Sequence, residues 1–181
     1  MRILVLFGTT EGQTARIAGA IGSTLRSHGA TVDVIEAGTA RVNPADYAGV
    51  IVAASVHAGG YQRPVRRWVH AHARTLDARP TAFVSVCLGV LQADPEVQQE
   101  VTAIPRRFAA RAGWHPGVIK VVAGALPYTR YNWLTRRLMR RIVAKAGGDT
   151  DTSRDYEYTD WMDLRAFAAQ FARTVLEARA A

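Results

Sequence analysis

Cysteine is almost absent from this sequence, since Cys87 is the only one among 181 residues. An internal disulfide is therefore excluded, which suits a reducing compartment. Long apolar runs are also missing, because no stretch reaches the roughly 18 apolar residues that a membrane-spanning helix needs. The short apolar run at residues 3–7 is followed by Gly-Thr-Thr-Glu instead of a small-residue cleavage site, which argues against a signal peptide. We therefore expect a cytoplasmic protein.

Negative charge is missing from one long segment. Residues 101–148 contain no Asp or Glu but ten Lys or Arg residues, while the whole chain carries a net charge of +8. The basic character is therefore local, and the rest of the chain is slightly acidic. This distribution favours an anionic partner near the basic segment.

The hydrophobic pattern alternates between two periods along the chain. Runs of aliphatic and β-branched residues predict five strands, at residues 2–7, 31–36, 50–55, 81–88 and 118–123. Helical periodicity predicts helices at residues 14–28, 64–73, 95–112 and 165–178, the third with an interruption at Pro105. This alternation predicts an α/β fold with a doubly wound parallel sheet of strand order 2-1-3-4-5. We expect a single domain over residues 1–181, with about 126–151 as an insertion after the fifth strand.

The first predicted strand runs directly into a hydroxyl-rich loop. This loop consists of Thr9, Thr10, Glu11, Gly12, Gln13 and Thr14, and the first helix follows at once. The unpaired N–H groups at a helix N-terminus attract anions, and a glycine lets the backbone approach a phosphate. Neither Gly-x-x-x-x-Gly-Lys nor Gly-x-Gly-x-x-Gly is present, which disfavours a nucleoside triphosphate or a dinucleotide. The loop predicts a phosphate site; the alternative is a helix cap without a ligand.

The loops after the third and fourth strands are the next candidates, because ligands of open α/β sheets bind at the carboxyl ends of strands. The first loop contains Ser55, Val56, His57, Ala58 and Gly59, followed by Tyr61, whose ring could stack on a flat ligand. The alternative is a flexible loop with an exposed histidine. The second loop contains Cys87, Leu88 and Gly89 and has no aromatic residue. Cys87 is interpreted as a core thiol and not as a reactive one.

The insertion combines an apolar and a basic helical face. Apolar residues recur at helical spacing at 134, 138, 139, 142 and 143, and the opposite face carries Arg136, Arg137, Arg140 and Arg141. Such a helix can lie on an anionic membrane or bind an acidic ligand. Arg130, Tyr131 and Trp133 precede it and suit stacking together with carboxylate pairing. The alternative is that the apolar face packs on the domain and the arginines are solvated. Nucleic acid is disfavoured, because no reading element is recognisable.

The phosphate loop resembles the FMN phosphate signature of the flavodoxin family. Thr9, Thr10, Gly12, Gln13 and Thr14 match it, and Glu11 replaces the commoner hydroxyl residue, so only a backbone contact is expected from Glu11. A second resemblance covers nearly the whole chain. Residues 121–133, 147–152 and 158–161 resemble the menaquinone-dependent protoporphyrinogen IX oxidases of the flavodoxin-like superfamily.

The resemblance implies an FMN enzyme of haem biosynthesis that oxidises protoporphyrinogen IX to protoporphyrin IX and passes electrons to a quinone. The flavin would carry the chemistry, so we assign no catalytic side chain and no metal. The three loops would hold FMN, and the insertion would contact the porphyrinogen or the inner face of an anionic membrane. Two alternatives stay open, another FMN-dependent quinone or small-molecule reductase and a flavodoxin electron carrier. Such carriers are usually acidic by the same resemblance, which the basic segment disfavours. The oligomeric state and the choice between menaquinone and ubiquinone stay open.

Overall fold

A computed structural model describes residues 1–57, 59–130, 132–133, 136–137, 140, 143–144 and 149–180. Its main sheet has five parallel strands in the order β2-β1-β3-β4-β5, which confirms the predicted topology. The strands are β1 (Arg2–Gly8), β2 (Thr31–Glu36), β3 (Gly49–Ser55), β4 (Thr81–Val86) and β5 (Val118–Val122). The helices are α1 (Gln13–Ser27), α2 (Arg63–Asp77), α3 (Pro95–Ala112) and a C-terminal helix, α4 (Trp161–Ala180). Short 3-10 turns occur at Pro44–Asp46, Leu88–Leu91 and Tyr128–Arg130.

Strand β1 lies at the centre of the sheet and is buried on both faces. Ile3 and Val5 pack in a cluster with α1 and α4, whereas Leu4 and Leu6 pack in a second cluster with α2 and α3. Successive side chains of a strand point to opposite faces, so a continuous aliphatic run fits a sheet that is covered on both sides. The helices thus leave the carboxyl edge of the sheet to its loops.

The predicted interruption of α3 at Pro105 is wrong. The helix runs without a break from Pro95 to Ala112, and Pro105 lies buried within it between the buried Ile104 and Ala109. A proline inside a helix costs about 3 kcal/mol, because it removes one backbone hydrogen bond and crowds the preceding turn. Here the packing of the buried face keeps the helix continuous. Helix α4 also begins earlier than predicted, at Trp161.

A polar cluster fixes the edge strand β2 to β1. The Tyr47 hydroxyl donates to Asp33 Oδ2 at 2.8 Å, and Arg2 Nη2 donates to the same oxygen at 2.8 Å. The hydrogen bond from Tyr47 and the contact with Arg2 lower the pKa of Asp33. Burial raises the pKa of Tyr47 to about 12, and the neighbouring Asp33 carboxylate is the second cause of this rise.

The insertion is bracketed by a second, two-stranded sheet that was not predicted. Strand β6 (Ala125–Leu126) pairs antiparallel with β7 (Tyr156–Glu157). Between them, the described residues 133, 136, 137, 140, 143 and 144 are helical, as predicted for the insertion. Leu126, Tyr128 and Val143 form a third apolar cluster, against which Leu88 packs. Among the residues that the structure describes, no helix has the length and apolar character needed to cross a membrane.

Candidate functional site

A cavity of about 330 Å³ opens at the carboxyl edge of the main sheet. It is bordered by the loops after β1, β3, β4 and β5. Its lining consists of Thr9, Glu11, Gln13, Thr14, Ser55, Val56, His57, Val86, Cys87, Leu88, Gly89, Gly124 and Ala125. The three loops proposed from the sequence therefore meet at one place, as the topology of an open α/β sheet requires.

The loop after β1 is folded back on itself at the start of α1. Gly12 adopts φ +90°, a left-handed conformation that favours glycine, and its N–H donates to Thr9 Oγ1 at 2.9 Å. Within the described part of the chain, no side chain caps the N-terminus of α1. The positive end of this 15-residue helix therefore faces the cavity with its first N–H groups available to a ligand.

Thr14 supplies the most informative polar atom of the site. Its side chain is 1% exposed, and its hydroxyl has no hydrogen-bond partner among the described residues. A buried hydroxyl without a partner costs about 1–3 kcal/mol, so such atoms are rare in folded proteins. Because Thr14 also lines the cavity, its hydroxyl is placed to donate to a bound anion.

A chain of side chains joins the loops after β1 and β3. Gln62 Nε2 donates to Thr10 Oγ1 at 3.2 Å and to Ser55 Oγ at 2.7 Å, and Ser55 Oγ lies 3.2 Å from His57 Nε2. Gln62 Oε1 is buried and has no partner among the described residues. Gln62 was not predicted as a site residue, although as the N-cap of α2 it lies next to a candidate loop.

Gln13 connects the phosphate loop with the segment that follows the insertion. Its Nε2 donates to Glu157 Oε1 at 3.0 Å and to Thr159 Oγ1 at 2.9 Å, while its Oε1 accepts from Arg16 at 3.1 Å. Arg16 also pairs with Glu157 at 3.0 Å. The side-chain amide of Gln13 is therefore engaged within the protein, and Gln13 forms part of the cavity wall.

The loop after β4 gives the cavity an apolar side. Cys87 is half-buried, and burial raises the pKa of its thiol, so the neutral form dominates at pH 7. Leu88 joins the cavity to the third apolar cluster. The suggestion that Tyr61 stacks on a ligand ring in this cavity is wrong. Tyr61 is buried beside Phe83 and Phe108, and its hydroxyl shares a 2.7 Å hydrogen bond with Ser85.

The remaining candidate loop residues lie elsewhere. Thr10 and Gly12 do not line this cavity, Gly59 lines a different one, and Ala58 lies outside the described residues. Conversely, Gly124 and Ala125 line the cavity but were not predicted. Ligands of open α/β sheets bind at the carboxyl ends of strands, and the loop after β5 lies at that edge as well. Gly124 and Ala125 were therefore predictable from the topology.

The structure does not bring the insertion residues into the cavity wall, as far as they are described. Trp133 is 74% exposed, and Arg137 and Arg140 are exposed as well. Arg136 differs, because it is half-buried and its Nε donates to the Tyr128 carbonyl at 2.9 Å. Arg130 ends a short 3-10 turn, and Tyr131 and Arg141 lie outside the described residues.

Comparison with known proteins identifies the family of this chain. The flavodoxin domain family matches residues 4–153. The protoporphyrinogen IX dehydrogenase (quinone) of Escherichia coli strain K12 is 35% identical over 175 residues, which cover 95% of each chain. The protein of the same name from Leishmania major is 34% identical over 174 residues, which cover 94% of this chain and 74% of that protein.

Solved structures show the same fold at low sequence identity. A flavodoxin from the domain Archaea has a TM-score of 0.60 at 13% identity, covering 97% of this chain and 99% of that one. Flavodoxin 1 from Bacillus cereus has a TM-score of 0.58 at 14% identity, covering 96% of this chain and 98% of that one. Membership of the flavodoxin family implies a flavin cofactor. The chain belongs to the flavodoxin family and, within it, to the protoporphyrinogen IX dehydrogenase (quinone) family of oxidoreductases.

Proposed function

We propose that this protein uses FMN to oxidise protoporphyrinogen IX to protoporphyrin IX, as a step of haem biosynthesis, and passes the electrons to a quinone. One observation carries the proposal. The buried hydroxyl of Thr14, which has no partner among the described residues, lines a cavity at the start of α1, in a chain similar over 95% of its length to a protoporphyrinogen IX dehydrogenase. A monophosphate satisfies that hydroxyl and the helix N–H groups together.

The described residues fit an FMN whose phosphate lies at residues 9–14. The loop offers neutral donors only, namely threonine hydroxyls and backbone N–H groups, and no Lys or Arg. The loops around Ser55–His57 and Cys87–Gly89 then border the ring. Gly89 and Gly124 also line the cavity. The absence of an aromatic residue from the loop after β4 leaves room for a bulky substrate beside the ring.

FMN held by these loops would supply the redox chemistry, the transfer of hydrogen pairs from the porphyrinogen to a quinone, which becomes the quinol. The task of the protein is to bind and to orient. Apolar Val56 and Leu88 offer contacts to an apolar macrocycle, and His57 offers a ring nitrogen to a carboxylate. No side chain is assigned as an acid or a base.

The exposed insertion residues are proposed to serve the anionic partners. Trp133, Arg137 and Arg140 are each helical and exposed, and this combination suits either substrate propionates or an anionic membrane surface. A peripheral contact with the inner face of the cell membrane would bring the site close to a lipid-soluble quinone.

The decisive experiment follows porphyrin fluorescence. The purified protein, loaded with FMN, is mixed anaerobically with protoporphyrinogen IX and a quinone, and a second reaction omits the quinone. We expect catalytic porphyrin formation only when the quinone is present. FMN binding without porphyrin formation would instead indicate a reductase with another substrate. A colourless protein that does not take up FMN would refute the cofactor assignment as well.

The role of the insertion is tested separately by Arg137→Glu with Arg140→Glu. We expect weaker binding to phosphatidylglycerol vesicles, because each basic residue near an anionic surface contributes about 1 kcal/mol. The matched control, Arg41→Glu with Arg165→Glu, makes the same charge change at exposed residues on other elements. If vesicle binding weakened equally in both double variants, or in neither, a specific contact of the insertion with the membrane would be contradicted.

A further inference from the structure

A second cavity, of about 370 Å³, lies between α2 and α3 and is also bordered by the loop that follows β3. It shares no lining residue with the cavity described above. Its apolar floor contains Ile104 and the rings of Tyr61 and Phe108, whose centroids are 4.9 Å apart. Its volume falls within the range of small-molecule sites, roughly 300–1,000 Å³.

The walls of this cavity carry basic residues on both helices. Arg66 and His70 are four residues apart on α2, and Arg107 and Arg111 are four residues apart on α3. Residues at this spacing share one face of a helix, so the two pairs face the same groove.

Counter-charges are scarce around this groove. None of the described residues that line it is a carboxylate. Arg107 pairs with Glu100, but no carboxylate of the described residues lies within ion-pair distance of Arg66 or Arg111. An arginine-lined groove with an aromatic floor is complementary to an organic anion, because guanidinium groups pair with carboxylate or phosphate while rings contact an apolar body.

The loop after β3 connects this groove with the first cavity. Gly59 and Gly60 line it, and Gly60 exchanges two backbone hydrogen bonds with His57, of 2.8 and 3.0 Å. His57 in turn lines the first cavity. One short loop therefore forms a wall of both cavities.

We propose that this groove is a second binding site, for a small organic anion with a flat apolar body and a carboxylate or phosphate group. The site is distinct from the flavin site. Arg66 and Arg111 bind the anionic group, and the half-buried ring of Phe108 contacts the apolar body.

The test compares two probes that differ only in charge, 1-pyrenebutyrate and 1-pyrenebutanol, by isothermal titration calorimetry with the purified holoprotein. The variant is Arg66→Glu with Arg111→Glu. The matched control, Arg67→Glu with Arg106→Glu, places the same charge change on the same helices at exposed residues outside the groove. Retained flavin absorbance and an unchanged Tm show that each variant is folded.

We expect 1-pyrenebutyrate to bind more tightly than the alcohol, and its affinity to fall roughly tenfold or more in the groove variant alone. Equal affinities of the two probes, or equal losses in the groove variant and its control, would overturn the proposal. Retention on phosphatidylglycerol vesicles without binding of the soluble probe would overturn it too, because the arginines would then form a membrane surface. These outcomes do not depend on porphyrin formation, so they separate this inference from the proposed function.

Discussion

Replacing Thr14 by valine should have opposite effects on the free protein and on its complex with FMN. Valine keeps the shape of the side chain and removes only the buried hydroxyl that has no partner among the described residues. In the protein without FMN, this change relieves an unsatisfied polar group, so we expect unchanged or higher stability, by up to about 1 kcal/mol or roughly 2–4 °C in Tm. In the complex, the same change removes a hydrogen bond to a charged phosphate, worth about 1.5–3 kcal/mol, so FMN should bind roughly 10- to 150-fold more weakly.

The assay titrates the flavin-free protein with FMN and with riboflavin, following flavin fluorescence, and records thermal unfolding without flavin. Riboflavin lacks the phosphate, so its affinity should change little in the variant. Thr24→Val is the control, because Thr24 lies on the same helix but donates to the Ala20 carbonyl at 3.1 Å, away from the cavity. An equal loss of FMN and riboflavin affinity, or a clear loss of Tm in the flavin-free protein, would refute the assignment of Thr14 as a phosphate donor.

Three further predictions concern the fold. Gly49→Ala would place a methyl group 2.5 Å from a side chain of α4, so it should lower the free energy of unfolding, measured by urea denaturation, by about 1–3 kcal/mol. Its control, Gly19→Ala, adds a methyl group with nothing within 4 Å and should raise the free energy of unfolding by about 0.5–1 kcal/mol. Tyr61→Phe should cost about 1–3 kcal/mol by leaving the buried Ser85 hydroxyl unpaired, and adding Ser85→Ala should recover most of that loss. The pKa of Tyr47 rises from 10 to about 12 on folding, so the stabilisation that Tyr47 contributes is present below pH 10 and is lost as the pH rises towards 12. In chemical denaturation, Tyr47→Phe should therefore reduce the fall in the free energy of unfolding between these two pH values.

The regular part of the fold was predictable because its periodicity is strong. The aliphatic run of β1 is buried on both faces, and such runs in alternation with amphipathic helices leave few topologies open. The same topology brings the loops after successive strands to one edge, which is why Thr14, Ser55 and Leu88 could be grouped without coordinates. Strands β6 and β7 have only two residues each, too few to show a period.

Side-chain partners were the part that the sequence could not supply. Tyr61 follows a glycine-rich loop and is spaced as a ring-stacking residue would be, but a tertiary contact decides its role, since Ser85 and two phenylalanines hold it in the core. Arg136 belongs to the basic face of the insertion by periodicity, yet it donates to a backbone carbonyl. Gln62 joins two loops that are separated by more than forty residues in the sequence. A sequence pattern can show which residues share one face of a helix or strand. It does not show which residues, distant in the sequence, form hydrogen bonds with each other once the chain has folded.

The distribution of charge separates two kinds of anion recognition in this protein. The loop that ends at Thr14 offers hydroxyls and the α1 N-terminus; it contains Glu11 but no Lys or Arg. The cations lie instead on exposed surfaces, in the insertion and along the groove between α2 and α3. Short hydrogen bonds in a partly buried cavity are little affected by salt, whereas exposed charges act over about a Debye length and are screened. A partly buried loop without cations suits a cofactor that stays bound, whereas exposed arginines suit anions that must arrive and leave. We therefore expect the two sets of residues to serve ligands with different residence times.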